Sequence, residues 1–380
     1  MSLPSIPPSI YVAFTVSFLV AVLLVLTKNL HGRFSMDGIE GVQKQHKEPT
    51  PRIGGVAILM GVAAGYLVAK PERQAILGPL LFAGLPAFVF GLAEDLTKKV
   101  SVAARLMATF ASGVLGWLLT GQSLTSLDLP FLDPLFGFTI VSVAFSAFAV
   151  GGIANAINII DGFNGLASGF IILSMSGLTA IALSQNDLNL ALACLCIAGS
   201  MMGFWLVNWP WGKIFLGDGG SYFGGIVLAW ASIMLVERNT AISPFAALLL
   251  CIYPVTEVLF SIFRRRIRAK KTGHPDRLHL HSLIMRRAVR PILNRLLDDS
   301  QKAQSQENAL TGIIIASMSL PAVLTAYFLR SDTLLAGVMC VVFILGFVAF
   351  YSRLVRYKWG SPLPFLFLKP GKSRAQNLRL

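Results

Sequence analysis

A succession of long apolar runs constrains this chain more than any other feature. Eleven can be marked, at approximately 10–27, 53–69, 75–93, 102–120, 135–153, 166–184, 188–207, 219–236, 243–263, 309–329 and 333–352. A helix rises about 1.5 Å per residue, so runs of roughly 20 residues match a hydrocarbon core about 30 Å thick. In lipid such runs satisfy their backbone groups as helices. The expected fold class is therefore an all-α polytopic membrane protein of about 11 transmembrane helices, one integral domain over residues 1–380. Composition agrees: 55 % of residues are hydrophobic and 13 % charged, against about 25 % charged in an ordinary soluble enzyme. That balance excludes a disordered chain, a collagen and a soluble enzyme. The first run has no basic residue before it and no small-residue cleavage site after it, so it reads as a retained helix. Cys194, Cys196, Cys251 and Cys340 all lie in apolar runs without metal spacing and read as packing residues.

Basic residues set the expected orientation. With the N-terminus outside, 28 of the 32 Lys and Arg fall on inner segments, leaving Lys70, Arg73, Arg238 and Arg330 outside. That asymmetry follows the positive-inside rule and predicts a periplasmic N-terminus and a cytoplasmic C-terminus. It also accounts for the net charge of +14 without nucleic acid as a partner. Two inner segments stand out, a basic loop over 264–308 and a basic tail over 353–380, for which contact with the membrane surface is expected. No charge is read in mid-span and no internal repeat is evident, whereas transporters place ionisable groups near mid-membrane and often show repeated halves. The polar clusters gather on the inner side, while the outer connections are short and hold little. A membrane enzyme facing the cytoplasm fits this distribution better than a transporter.

Five clusters carry the chemistry. Glu94 and Asp95 end the third run in GLAEDLTKK, where a helix dipole disfavours negative charge; ion pairs with Lys98 and Lys99 at i+4 are the plain alternative to function. Adjacent residues point about 100° apart on a helix, so the two acids should not face one atom. In NAINIIDGFNGLASG, Asn155, Asn158, Asp161 and Asn164 recur every three residues, and Gly162 and Gly165 should break the helix near Asp161. The expected result is an acceptor-rich pocket at the membrane edge; an Asn/Gly-rich turn is the competing reading. FLGDGGSYFGG offers Asp218 and exposed backbone N–H groups at a helix start, which suits Mg²⁺ and phosphate together, or simply an Asp N-cap. GHPDRLHLHSLIMRR, after the topogenic RRRIRAKK, places Arg277, His279 and His281 as donors for a diphosphate, since no Cys or acid completes a zinc set. Lys44, His46 and Arg52 precede the second run in QKQHKEPTPRIGG, where positive-inside anchoring explains the charges.

Together these pieces resemble the polyprenyl-phosphate N-acetylhexosamine-1-phosphate transferase family. The matching stretches are KxHxxPTPRIGG at 44–55, GLAED at 91–95, NAINIIDGFNGLA at 155–167, LGDGGS at 216–221 and PDRLHLHSLIMR at 275–286. They occur in family order over about two thirds of the chain. The His-loop form is similar to the branch that moves N-acetylglucosamine-1-phosphate; the consecutive histidines usual in the muramyl-pentapeptide branch are missing. The resemblance implies transfer of N-acetylhexosamine-1-phosphate from a UDP-sugar to undecaprenyl phosphate with release of UMP. This would be the first membrane step of O-antigen or other surface-polysaccharide assembly, at the bacterial inner membrane. It also implies Mg²⁺, with Mn²⁺ as a substitute, and it accommodates a homodimer. By family matching Asp218 is the metal ligand and Asn158 a second. Asp95 and Glu94 deprotonate or orient the lipid phosphate, and Arg277, His279 and His281 hold the sugar and diphosphate. Asn155, Asp161, Asn164, Lys44 and His46 line the substrate region.

Two departures from the family pattern matter. Glu94 stands where Asp is usual, which favours Asp95 as the catalytic acid of the pair. Asn164 stands where a second Asp is usual, which argues against direct metal binding there. The same reaction with UDP-N-acetyl-fucosamine or -quinovosamine is the nearest alternative, and a lipid or nucleotide-sugar transporter is the alternative from another class.

Overall fold

The computed structural model describes residues 7–37, 49–267, 278–297 and 300–356. Helices run in the order α1 (Pro8–Leu26), α2 (Lys28–Ser35), α3 (Gly54–Leu67), α4 (Pro71–Thr97), α5 (Val102–Thr120), α6 (Asp133–Phe136), α7 (Thr139–Ile160), α8 (Leu166–Ser184) and α9 (Leu188–Asn208). There follow α10 (Gly217–Arg238), α11 (Pro244–Leu249), α12 (Ile252–Ile267), α13 (Leu280–Ile284), a π turn at Met285–Val289, α14 (Arg290–Leu296), α15 (Ser300–Ser317), α16 (Leu320–Phe328) and α17 (Thr333–Arg356). A two-residue antiparallel ladder pairs β1 (Met36–Asp37) with β2 (Thr50–Pro51). Every apolar run has a helical counterpart. Among the described residues nine helical segments are long and apolar enough to cross a membrane; α3, with 14 residues, is shorter, and the ninth run is broken into α11 and α12 at Leu250–Cys251.

Two helices outrun the apolar patterning at the ends that matter. α4 continues to Thr97, carrying Glu94 and Asp95 in its last turn, although Pro79 and Pro86 lie inside it. The backbone N–H of Ala87, just after the second proline, is taken by Ser112 Oγ of α5 at 3.1 Å, the kind of local repair that lets a proline stay in a spanning helix. α7 continues to Ile160 because Asn155 does not interrupt it. Its Nδ2 donates to Gly151 O at 2.7 Å and to Thr109 Oγ1 of α5 at 3.0 Å.

α10 is the centre of the bundle: every residue from Gly217 to Val236 is buried. A helix covered on all sides must let neighbours approach its backbone, and α10 does so against α3, α4 and α7. A Cβ on Gly91 of α4 would stand 2.6 Å from the Asp218 carbonyl carbon, and one on Gly55 of α3 would stand 2.3 Å from Gly220 N. The four cysteines are free and buried.

The ends of the bundle carry more than the sequence suggests. At the end remote from Asp218, Arg238 grips Asp187 through Nε at 2.7 Å and Nη2 at 2.9 Å. Glu237 accepts from the Thr125 N–H and hydroxyl, each at 2.9 Å. The segment 264–308 is not a plain loop, since residues 280–296 are helical and α15 rises out of its C-terminal part. Arg264, expected in a topogenic patch at the membrane surface, is instead buried; it donates to Leu278 O at 2.6 Å and to the Tyr351 hydroxyl.

Candidate active site

Three acidic residues gather where α4 and α7 end and α10 begins. Asp95 is 1 % exposed, and its two oxygens accept the N–H groups of Asp218 at 3.0 Å and Gly219 at 2.9 Å. It thereby caps α10, the role the sequence offered to Asp218. The chain enters this turn through Gly217 at φ +76°, where a Cβ would fall 2.6 Å from Asp95 Oδ2. Only glycine fits there.

Asp218 is 2 % exposed, and its carboxylate faces a ring of donors. Arg52 bridges the two acids, with Nε 3.2 Å from Asp95 Oδ1 and Nη2 donating to Asp218 Oδ1. Arg105 of α5 donates to Asp218 Oδ2. Asn158 of α7 donates Nδ2 to Asp218 Oδ1 at 3.1 Å and to Ser221 Oγ at 2.8 Å, and its Oδ1 accepts nothing among the described residues. Arg52 is placed by backbone pairing. Its N–H bonds Ser35 O at 2.9 Å, and Phe215 N donates to Pro51 O at 2.8 Å. Gly54 N and Gly55 N then return bonds to Phe215 O at 2.9 Å and Leu216 O at 3.0 Å. The PTPRIGG and LGDGG stretches are thus laced together through the main chain, which fixes a guanidinium between two buried carboxylates. Buried charge is tolerated on these terms, paired and hydrogen-bonded.

Asp161 is the residue following α7 and is partly buried. Its carboxylate makes no hydrogen bond among the described residues. Removal from water pushes that carboxyl up to about 7; Arg52 opposes the rise, and the Asp218 and Asp95 carboxylates add to it.

The remaining candidates divide. Glu94 turns away from Asp95, as the helical angle requires, and its Oε2 accepts the Val100 N–H at 2.8 Å, just past Lys98 at φ 57°. Asn155 is spent on α5 and its own helix, as described above. Asn164 faces the turn after α9: a Cβ on Gly212 would stand 2.6 Å from its Nδ2, and its N–H donates to Asn308 Oδ1 at 2.6 Å. The structure therefore does not bring Asn155 or Asn164 to the carboxylates. His279 bonds Glu257, and its ring stacks on His281 with centroids 5.2 Å apart. His281 in turn meets Phe163 edge-on at 5.4 Å, so the histidine motif lies against the 161–165 turn. Lys44, His46 and Arg277 lie outside the described residues.

Sequence reasoning missed Arg52, Arg105 and Glu257. Both arginines were explained away by the positive-inside asymmetry, which says where charge sits and nothing of what it touches. Glu257 corrects the reading that no charge stands in mid-span. It interrupts the ninth apolar run, and a lone acid in such a run is itself a signal of function.

Among the described residues no three His, Cys, Asp or Glu side chains converge as a protein cage for a metal. The donors present are oxygens of Asp218, Asp161, Asp95 and Asn158, and cationic guanidinium groups already stand on Asp218. That set fits a hard divalent ion of the kind held by one or two carboxylates while substrate phosphate and water supply the rest.

Residues 77–236 match the family model described as glycosyl transferase family 4. The chain is 28 % identical over 279 residues to the probable undecaprenyl-phosphate N-acetylglucosaminyl 1-phosphate transferase of Bacillus subtilis (strain 168), covering 73 % of this chain and 77 % of that protein. It is 25 % identical over 328 residues to the undecaprenyl-phosphate alpha-N-acetylglucosaminyl 1-phosphate transferase of Escherichia coli (strain K12), covering 83 % of each. It is also 29 % identical over 245 residues to the phospho-N-acetylmuramoyl-pentapeptide-transferase of Clostridium perfringens (strain 13 / Type A), covering 60 % of this chain and 77 % of that one.

Proposed function

We propose that the chain, whose residues 77–236 match glycosyl transferase family 4, is a membrane phosphoglycosyl transferase that transfers N-acetylhexosamine-1-phosphate from a UDP-sugar to undecaprenyl phosphate, releasing UMP. N-acetylglucosamine is the favoured sugar, because relatives matched over 73 % and 83 % of the chain carry that name. The observation that carries the reading is the convergence of Asp95, Asp218 and Asn158 with Arg52 and Arg105, drawn from five separated stretches to one end of the bundle.

The reaction requires a phosphate oxygen of the lipid to attack the β-phosphorus of the sugar nucleotide while the bond from that phosphorus to the UMP oxygen breaks. Two anions must meet, so neutralising charge dominates the barrier. Arg52 and Arg105 supply fixed positive charge at the mouth of α10, whose N-terminal dipole adds to it. Asp95 holds the first turn of α10, and hence Asp218, in place. Asp161 carries a carboxyl that exchanges its proton near neutrality and is suited to accept one from the lipid phosphate or to join the metal ligands. Mg²⁺ would be held by Asp218 with Asn158, and when bound it would offset charge on the diphosphate and on departing UMP. The site lies at helix ends, the level at which a lipid phosphate sits. We assign that end to the cytoplasmic face of the inner membrane, in keeping with the charge asymmetry.

The test is a transfer assay in which purified protein meets undecaprenyl phosphate and radiolabelled UDP-N-acetylglucosamine, -galactosamine, -fucosamine or -quinovosamine. UMP and labelled lipid should form with the first donor, and EDTA should stop it. Absence of UMP with every donor would overturn the reaction, and EDTA-insensitive turnover would overturn the metal.

A further inference from the structure

Glu257 has no exposed surface, standing inside α12 where an ionised carboxylate is costly unless both oxygens are satisfied. Its Oε1 lies 2.9 Å from His279 Nδ1 and accepts the Leu280 N–H at 3.1 Å, which Oε2 shares at 3.2 Å. A well-packed apolar residue would often hold a buried position such as this at least as well as an ion. The acid therefore calls for a reason beyond packing, and its geometry supplies one. Nδ1 is fixed toward Glu257, and the ring is clamped parallel to His281, the two planes 12° apart. His281 in turn rests against Phe163 and lies close to Gly162. His281 thus lies against the turn that carries Asp161, with His279 stacked beside it.

Resting on the transfer reaction proposed for this site, we propose that Glu257 is a positioning residue: by accepting a hydrogen bond from His279 Nδ1–H it favours a second proton on Nε2, so that His279 meets a diphosphate oxygen as a charged donor. In a neutral imidazole whose Nδ1–H is given to Glu257, Nε2 would be a bare acceptor and would repel an anion. The other groups around the ring do not supply this. Arg264 bonds Leu278 O at 2.6 Å and opposes a second positive charge. Tyr351 donates to the same carbonyl at 2.8 Å. His281 stacks on the ring. Glu257 supplies the anion.

The experiment uses Glu257→Gln in the full chain in lipid nanodiscs. Gln keeps the shape and an acceptor for Leu280 N–H but removes the charge. ¹⁵N-histidine NMR, with His279 assigned by the signal lost in His279→Gln, should show an imidazolium at pH 7 in the parent and a neutral ring in Glu257→Gln. The alkaline limb of the UMP-release profile should move to lower pH. Glu257→Gln should add nothing in a His279→Gln background, and Glu257→Asp should retain the imidazolium. An imidazolium that survives Glu257→Gln, or is lost equally in Glu257→Asp, overturns the proposal, as does an unmoved limb with additive losses. A parent protein that makes no UMP would sink the transfer reaction alone, since the NMR comparison needs no turnover.

Discussion

At the residue scale, Asp161 and Asp218 show opposite ways of keeping an acid in a poor solvent. Asp161 lacks hydrogen bonds among the described residues, and its carboxyl sits at about 7, above the roughly 3.9 of an unfolded chain. The folded state therefore binds the proton more tightly than the unfolded state between those values, and stability falls as pH rises through that window. Metal-free protein should melt at a higher temperature at pH 5.5 than at pH 7.5, and Asp161→Asn should shrink the difference; an equal difference in the variant would clear Asp161 of the effect. Asp218 is instead paired, with Arg52 and with Arg105. Asp218→Asn should lower turnover at least about a hundredfold, on the scale of losing a key electrostatic group. It should also lose stability, about 1–3 kcal/mol for each polar group left unsatisfied. Adding Arg105→Met should recover part of that stability, by removing an orphaned cation, and none of the turnover; thermal melting and UMP release read the two separately. The carboxylates and Asn158 were legible because acids and amides in apolar sequence are costly and so conspicuous. Arg52 and Arg105 were not, because an inner-side arginine already had a complete explanation.

At the scale of elements, the site depends on how closely α3, α4 and α10 approach. Gly91 faces the first turn of α10, with no room for a Cβ against the Asp218 carbonyl carbon at 2.6 Å. Gly91→Ala must push α4 away from α10, and with it Asp95 from the amides that it caps. Overpacking of this kind costs about 1–3 kcal/mol. The expected result is a lower melting temperature together with a turnover loss of at least about tenfold, since small misplacements at a reacting centre are costly. Gly346, where a Cβ would meet nothing within 4 Å, serves as the control: Gly346→Ala should leave turnover unchanged. Hydropathy located these helices but not their ends. α4 and α7 run on past their apolar runs, because a buried Asp satisfied by amides, or an Asn bonded to its own helix, lowers hydropathy without ending the hydrogen-bond ladder. The turn at 161–165 was legible from its glycines. Its embrace by Asn208 and Asn308 was not, since those partners stand 43 and 144 residues away.

At the scale of the molecule, the two ends of the bundle are chemically distinct. One gathers Asp95, Asp161, Asp218, Arg52 and Arg105; the other is pinned by pairs such as Arg238 with Asp187 and Glu237 with Thr125. If the first end faces the cytoplasm, as the charge asymmetry implies, positions at the two ends must differ in access from outside the cell. The native cysteines are buried and so give little background to a thiol reagent. Lys98, exposed where α4 ends beside the acids, and Asn186, exposed in the α8–α9 connection of the remote end, are suitable probes. In intact cells stripped of any outer membrane, a membrane-impermeant maleimide should label Asn186→Cys and leave Lys98→Cys untouched, and in inside-out vesicles the pattern should reverse. Labelling of both positions from one side would mean that the helices between them do not separate two compartments. The opposite order would place the acids outside, away from any cytoplasmic nucleotide sugar, and the transfer reaction would lose its donor.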